Sequence, residues 1–273
     1  MNSPNYSYVT ALTTDSYLIG VLALQFSLKH SKARYGLTAV LTDCVSEHCE
    51  RLLIDFGVNT LRIGKAALPD GFQQQKQHWT HSFGKLSIFD LTMFDKIVFI
   101  DSDMMVLENV DSLFGHESLS ATQAGRSFPG NEHWKELNSG LMVLRPQKGL
   151  RHALESIIPG YAASHTEFGD QDIVQELFQW PSSQELVLGE EYNVFFQYIE
   201  HYVAHKDTAL HGKSIKIVHF IGQKKPWMAS VFQQIKTILQ FTKWRQFASL
   251  RYYVIYLMMI YRVKTKILIR RNR

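Results

Sequence analysis

Cysteine is nearly absent from this chain of 273 residues: only Cys44 and Cys49 occur, separated by four residues. Two thiols so placed make neither a disulfide framework nor a zinc site, which needs further partners. A reduced, cytosolic setting is the expectation. The start, Met1 to Ser7, lacks the basic-then-apolar pattern of a secretory signal. No internal repeat or low-complexity stretch is visible. Acidic residues are missing altogether after Asp207, whereas fourteen of the 29 basic residues follow it. The part up to Asp207 therefore holds 15 bases against 25 acids, hidden beneath a formal net charge of +4. An acidic body with a basic end points to an anionic partner for the C-terminal segment.

With 45% apolar and 20% charged residues, the composition is that of an ordinary globular protein. The length suits one large domain, or one domain with a small appendage. Apolar runs at 8–12, 37–41, 58–63, 96–100, 140–144 and 215–220 read as strands. Helical spacing over 17–28, 45–56, 78–92 and 171–178 places helices between them. Segments 64–80 and 126–136 read as loops. Such alternation predicts an α/β fold, a mainly parallel sheet covered by helices on both faces. Ligands of such sheets bind at loops beyond the carboxyl ends of the strands.

One strand ends in an unusual way. The run Ile97-Val98-Phe99-Ile100 stops at Asp101-Ser102-Asp103. In an extended backbone residues i and i+2 point the same way, so two carboxylates would converge and repel. A hard divalent ion with oxygen ligands relieves that repulsion. A second reading has Asp103 capping a turn and Asp101 solvated; the motif by itself leaves both open. His219 ends another apolar strand and opens His219-Phe220-Ile221-Gly222-Gln223-Lys224-Lys225-Pro226-Trp227. A neutral imidazole is a common ligand for manganese-like ions. Gly222 would allow close backbone approach, and Lys225 is a point charge suited to phosphate.

These pieces, with several others, resemble the glycogenin-like glycosyltransferases of family eight over most of residues 6–228. The other matching segments are Leu12-Thr13-Thr14, Lys85, Asn138-Ser139-Gly140, Gly169-Asp170-Gln171 and Tyr192-Asn193. The resemblance implies a GT-A fold over 1–228, a UDP-sugar donor and retention at the anomeric carbon. It implies that Leu12, Thr13, Thr14 and Tyr17 line the uridine pocket, although Asp15 departs from the family and one residue is missing before Tyr17. It further implies that Asp101, Asp103 and His219 ligate Mn2+, with Mg2+ as the alternative ion. Gly222 and Lys225 would hold the diphosphate, and Asn138, Asp170 and Gln171 would surround the sugar. Ser102, Ser139 and Gly140 complete the implied donor-binding set. Asp170, Gln171 and Lys85 take the implied catalytic roles. Retention is open to two routes, attack by a protein carboxylate, for which Asp170 is the candidate, or front-face attack by the acceptor. Asp170 is also read as an N-cap of the helix that follows it, and the two roles are compatible.

The acceptor is less constrained. By resemblance, a self-glucosylating enzyme carries an acceptor tyrosine shortly after Tyr192-Asn193; counting places Glu200 there, with Tyr198 and Tyr202 nearby. A self-glucosylating primer is therefore the alternative to transfer onto a separate glycan. Residues 229–273 contain the charge-free run Tyr252–Tyr261, ten residues between basic flanks. A spanning helix needs about 20 apolar residues, so this run is too short to cross a bilayer. Basic flanks and interfacial tyrosines instead fit a helix lying on an anionic membrane surface. The tail also resembles those of bacterial lipooligosaccharide galactosyltransferases of the same family. The expectation is a hexosyltransferase, peripheral on the cytoplasmic face of a membrane, that transfers glucose or galactose to a glycan or glycolipid such as lipopolysaccharide or capsule. The alternative for the tail is packing on the body or forming a dimer. Relatives often dimerise, which adds a homodimer to the expected partners. The basic residues form no nucleic-acid module, so nucleic acid is not expected.

Overall fold

A computed structural model describes residues 4–64 and 82–271. In chain order the strands are β1 (Tyr6–Leu12), β2 (Leu37–Leu41), β3 (Asn59–Arg62), β4 (Lys96–Ile100), β5 (Met104–Val106), β6 (Ser120–Thr122), β7 (Asn138–Leu144), β8 (Val187–Leu188), β9 (Val194–Phe195) and β10 (Ile217–His219). The α-helices are α1 (Leu18–His30), α2 (Glu47–Asp55), α3 (Leu150–Ser164), α4 (Asp170–Phe178), α5 (Ile199–Ala204), α6 (Lys206–Ala209), α7 (Val231–Lys243) and α8 (Phe247–Arg271). The expected helix 78–92 is realised over Ser82–Asp90 as tight 3-10 turns. Its first residues, and all of the expected loop 64–80 beyond Gly64, lie outside the described residues.

Seven strands form the large sheet in the order β3-β2-β1-β4-β7-β6-β8. The β3-β2-β1-β4 half is parallel throughout, and β7 runs antiparallel to both β4 and β6. Every residue of β4 is buried, as expected of a central strand covered on both faces. Alternate residues feed two cores. Tyr8, Leu12, Val98 and Ile100 pack with α1, α2 and the end of α8. Val9, Ile97 and Phe99 pack with the 82–90 turns, α3 and α4. Even Lys96 is buried, its amine donating to the carbonyls of Phe114 at 2.9 Å and His116 at 2.6 Å.

The small sheet, β5-β10-β9, is what assembles the site. Strand β5 pairs antiparallel with β10, setting His219 opposite Met104, the residue after Asp103. The Phe220 amide then donates to the Asp103 carbonyl at 3.0 Å. Backbone pairing thus brings the two motifs together before any side chain is considered.

Helix α8 differs from the exposed tail that its sequence suggests. Tyr253, Tyr256, Ile260, Val263 and Ile267 recur every three or four residues and are all buried. Tyr256 stacks on Phe220 at 4.1 Å and meets the edge of Trp227. Nearer its end, the Arg262 and Lys266 cations lie over Phe26 of α1. Arg270 donates to the Asp55 carbonyl at 2.5 Å, at the C-terminus of α2, where a cation complements the helix dipole. Much of the tyrosine-rich run is therefore core.

Candidate functional site

Asp101 and Asp103 sit in a tight turn between β4 and β5, not on extended backbone. The Met104 amide closes the turn on the Asp101 carbonyl at 3.1 Å, and the Asp101 amide continues the sheet ladder to Gly140 at 2.9 Å. The carboxylates converge because the turn folds them inward, not through strand alternation. Ligand atoms of Asp101, Asp103 and His219 all lie within 4.8 Å of one another. Two carboxylate oxygens and an imidazole nitrogen in a largely buried corner are a donor set suited to a divalent ion such as manganese.

The imidazole is oriented from behind. His219 Nδ1 meets the Asn193 side-chain oxygen at 3.0 Å, and that amide also donates to Asn138 Oδ1 at 2.9 Å. A carbonyl oxygen only accepts, so Nδ1 carries a proton and Nε2 is the nitrogen that faces the corner. Nε2 lies 3.2 Å from Asp103 Oδ1.

Two lysines complete the charge balance. Lys225 is buried and donates to Asp103 Oδ2 at 2.5 Å and to the Phe220 carbonyl at 3.0 Å. Burial alone would raise the Asp103 pKa, but His219 and Lys225 outweigh it and hold the carboxyl below its usual range. At Asp101, burial wins over Lys85, and the neighbouring Asp103 adds to the rise. Lys85 bridges Asp101 Oδ1 and Asp170 Oδ2, both at 3.1 Å, and reaches Ser139 Oγ at 3.2 Å. Burial opposes its charge, yet the two carboxylates prevail and raise its pKa.

Asp170 opens α4 as its first helical residue, with Gly169 as the N-cap. The cap contact belongs to Asp172, which accepts from the Gly169 amide at 2.7 Å. The N-cap reading of Asp170 therefore fails; its carboxylate faces Lys85 instead. Gln171 Oε1 accepts from Asn138 Nδ2 at 3.4 Å and from the Ser139 amide at 3.3 Å. Ser102 is buried in the Asp101–Asp103 turn. Glycine at 140 is required by space, since a Cβ there would lie 2.7 Å from His219 Cε1. At Gly222 the need is conformational: φ is +98° and no atom crowds an added Cβ.

On the other flank, Leu12 ends β1 fully buried, followed by the half-buried Thr13, Thr14 and Tyr17. Tyr17 packs against the edge of Trp227, whose indole donates to the Ser16 carbonyl at 2.9 Å. Asp15, the residue that departs from the family, accepts from the Ser46 amide at 2.9 Å and ties this turn to the start of α2. Gly20 belongs to the site although its sequence context singles out no role. A Cβ on it would lie 2.6 Å from the Ser102 carbonyl and 2.8 Å from Trp227, so α1 reaches the carboxylate turn only because Gly20 has no side chain. Tyr256 was likewise invisible as a site residue, since periodicity shows that a helix face is buried but not against what.

A mainly parallel sheet that delivers two carboxylates, an imidazole and a lysine to one corner defines the GT-A class of nucleotide-sugar enzymes. The chain belongs to glycosyl transferase family 8, whose model matches residues 9–230. It is 27% identical over 244 residues to glycogenin-1 of Mus musculus, covering 85% of this chain and 68% of that protein. It is 26% identical over 230 residues to a putative UDP-glucuronate:xylan alpha-glucuronosyltransferase 3 of Arabidopsis thaliana, covering 81% of this chain but only 34% of the larger relative. Among solved structures, galactosyltransferase LgtC with donor and acceptor sugar analogues shares the fold at a TM-score of 0.59 and 16% identity, over 81% of this chain and 89% of that one. The glycosyltransferase GlyE of Streptococcus pneumoniae does so at 0.57 and 18%, over 97% and 64%.

Proposed function

We propose that this chain is a retaining hexosyltransferase that moves glucose or galactose from a UDP-sugar to a glycan acceptor carried on a lipid, such as lipopolysaccharide or capsule. The observation that carries the reading is the corner of Asp101, Asp103 and His219 with Lys225 beside it. In this reading Leu12, Thr13, Thr14 and Tyr17 hold the uridine, and Ser102, Asn138, Ser139 and Gly140 shape the donor cleft. A divalent ion, Mn2+ or Mg2+, bound by Asp101, Asp103 and His219 would supply Lewis-acid neutralisation of the departing diphosphate. Lys225 and the backbone at Gly222 hold that diphosphate, adding positive charge where negative charge develops. Lys85 keeps the Asp170 carboxylate fixed near the sugar, and Gln171 locks Asn138 and Ser139 into the same wall. Retention then proceeds by attack from Asp170 or by front-face attack of the acceptor hydroxyl.

Residues 1–228 form the catalytic body in this proposal, and 229–273 the part that meets an anionic membrane. Its support lies on α7, where Phe232, Ile235 and Leu239 recur at helical spacing and are exposed, Phe232 by 76%. Trp244 and Phe247, just beyond the end of α7, are also exposed, and Lys236, Lys243 and Arg245 lie among these residues in the sequence. An amphipathic helix with aromatic and basic residues binds an anionic interface without crossing it. No helix among the described residues is long and apolar enough to span a bilayer.

Incubation with Mn2+ and labelled UDP-glucose or UDP-galactose, with and without a lipopolysaccharide-core acceptor, tests the activity. Transfer to the acceptor is expected from one donor. Label on the protein itself would instead support the self-glucosylating alternative. Two observations weigh against that alternative: Tyr202 is buried with its hydroxyl on Glu190, and Glu200 accepts from the Ser249 amide at 2.7 Å. Asp103→Asn is expected to lower transfer beyond the roughly 10- to 100-fold that loss of an outer-shell partner costs. Near-normal activity would remove the metal corner from the argument. Co-sedimentation with phosphatidylglycerol vesicles tests the surface, with Phe232→Glu/Leu239→Glu expected to abolish it.

A further inference from the structure

A cavity of about 640 Å³ lies on the far side of the segment that carries Lys225. Its floor is aromatic: Phe196 stacks on Phe220 at 4.7 Å, and Tyr253 lies 6.1 Å from Phe196. One wall is Ile221 to Ala229; the other is the α7 stripe Gln233, Lys236, Thr237 and Gln240. That stripe is offset by one residue from the exposed Phe232, Ile235 and Leu239, so the cavity opens beside the apolar face of α7.

The charge of the lining is one-sided. Lys224, Lys225 and Lys236 contribute to it, and no aspartate or glutamate does. Lys225 is committed to Asp103, whereas Lys224 and Lys236 are exposed. An apolar floor with cations at the rim recognises a molecule that is apolar at one end and anionic at the other. The volume falls in the ordinary range for small-ligand sites, roughly 300–1,000 Å³.

We propose that this cavity holds one molecule of an anionic membrane lipid, its phosphate at Lys224 and Lys236 and its chain over Phe196, Phe220 and Tyr253. The proposal rests on the reading of α7 as a membrane-facing helix, since that orientation delivers the lipid to the cavity mouth. It goes further by assigning a stoichiometric lipid site that a purely interfacial helix lacks. Because Phe220 and Lys225 belong to both the cavity wall and the metal corner, the bound lipid abuts the diphosphate end of the donor site.

Short-chain lipids that stay monomeric separate this site from membrane adsorption. The full chain is titrated calorimetrically with dihexanoylphosphatidylglycerol and with dihexanoylphosphatidylcholine, each below its micellar concentration, and with inorganic phosphate. One-to-one binding of the anionic lipid is expected, at least about tenfold tighter than either control. Lys236→Glu is expected to weaken it about tenfold or more, as one reversed charge beside a phosphate should. Gln240→Trp, which places bulk over the cavity, should do the same, and UDP binding reports that each variant is folded. Equal binding of both lipids, phosphate binding as well as lipid, or an unchanged Lys236→Glu affinity would overturn the proposal. Vesicle binding that persists without any monomeric lipid site would leave the α7 reading standing and sink this one alone.

Discussion

Asn193 uses both ends of one side-chain amide: its oxygen holds His219 Nδ1 and its nitrogen holds Asn138. Removing it frees the imidazole to rotate or change tautomer, and an outer-shell loss of this kind typically costs about 10- to 100-fold in metal affinity. Asn193→Ala should therefore bind Mn2+ about tenfold or more weakly, measured by paramagnetic resonance of free ion in the absence of nucleotide. An unchanged affinity would mean that the corner orients itself. The two cysteines offer a second test at this scale. Burial, with help from the Asp15 carboxylate, pushes the Cys49 thiol up to about 12, while Cys44 is exposed. The thiolate is the reactive form, so Cys49 stays protonated and inert well above neutral pH. At pH 8 a maleimide should modify one thiol of the folded protein, and the second only after denaturation. Rapid modification of both would contradict the burial of α2 on the body.

At the scale of elements, the site is a meeting of a turn, a short strand and a helix N-terminus. Gly20 sets how closely α1 approaches the Asp101–Asp103 turn. Gly20→Ala must displace both the Ser102 carbonyl and Trp227, or move α1 away from them, and overpacking of this kind costs typically about 1–3 kcal/mol. We expect about that loss in urea unfolding, together with weaker metal binding because Asp103 moves with the turn. Full stability would show that α1 can shift without cost. Asp101, Asp103, His219 and Lys225 were legible in the sequence because they follow apolar runs, whereas Lys85 and Asp170 came only through the family resemblance. Among the described residues, six of the ten strands and helices α1, α2 and α4 were legible too; β2 and β4 match their expected spans to the residue, whereas α3 was not expected. Support residues were harder to read. Asn193 stood in a recognised motif without a role, and Gly20 gave only the weak signal that glycine inside a helix costs about 1 kcal/mol against alanine. The convergence of Asp103 with His219 depends on β5-β10 pairing, and strands of three residues have too little pattern to announce their partners.

For the whole molecule, the question is whether the basic end is a detachable anchor or part of the fold. Tyr256 is fully buried between Phe220 and Trp227, and Val263 and Ile267 belong to the same core as α1 and α2. Helix α8 thus spans two cores and backs the segment that carries His219 and Lys225. Replacing a buried aromatic ring with alanine typically costs about 3–5 kcal/mol, from lost transfer energy and the cavity left behind. Tyr256→Ala should lose about that much stability in denaturant unfolding and should also weaken UDP binding, since Phe220 loses its stacking partner. A chain ended after Lys243 should lose more, exposing Phe220, Trp227 and the outer face of α1. It should aggregate or unfold non-cooperatively rather than yield a soluble catalytic body. A well-folded, UDP-binding truncation would show that α8 only rests on the surface. The basic end then divides by helix: α8 secures the core, and α7, with its apolar side chains outward, is the element that the proposed membrane contact would use.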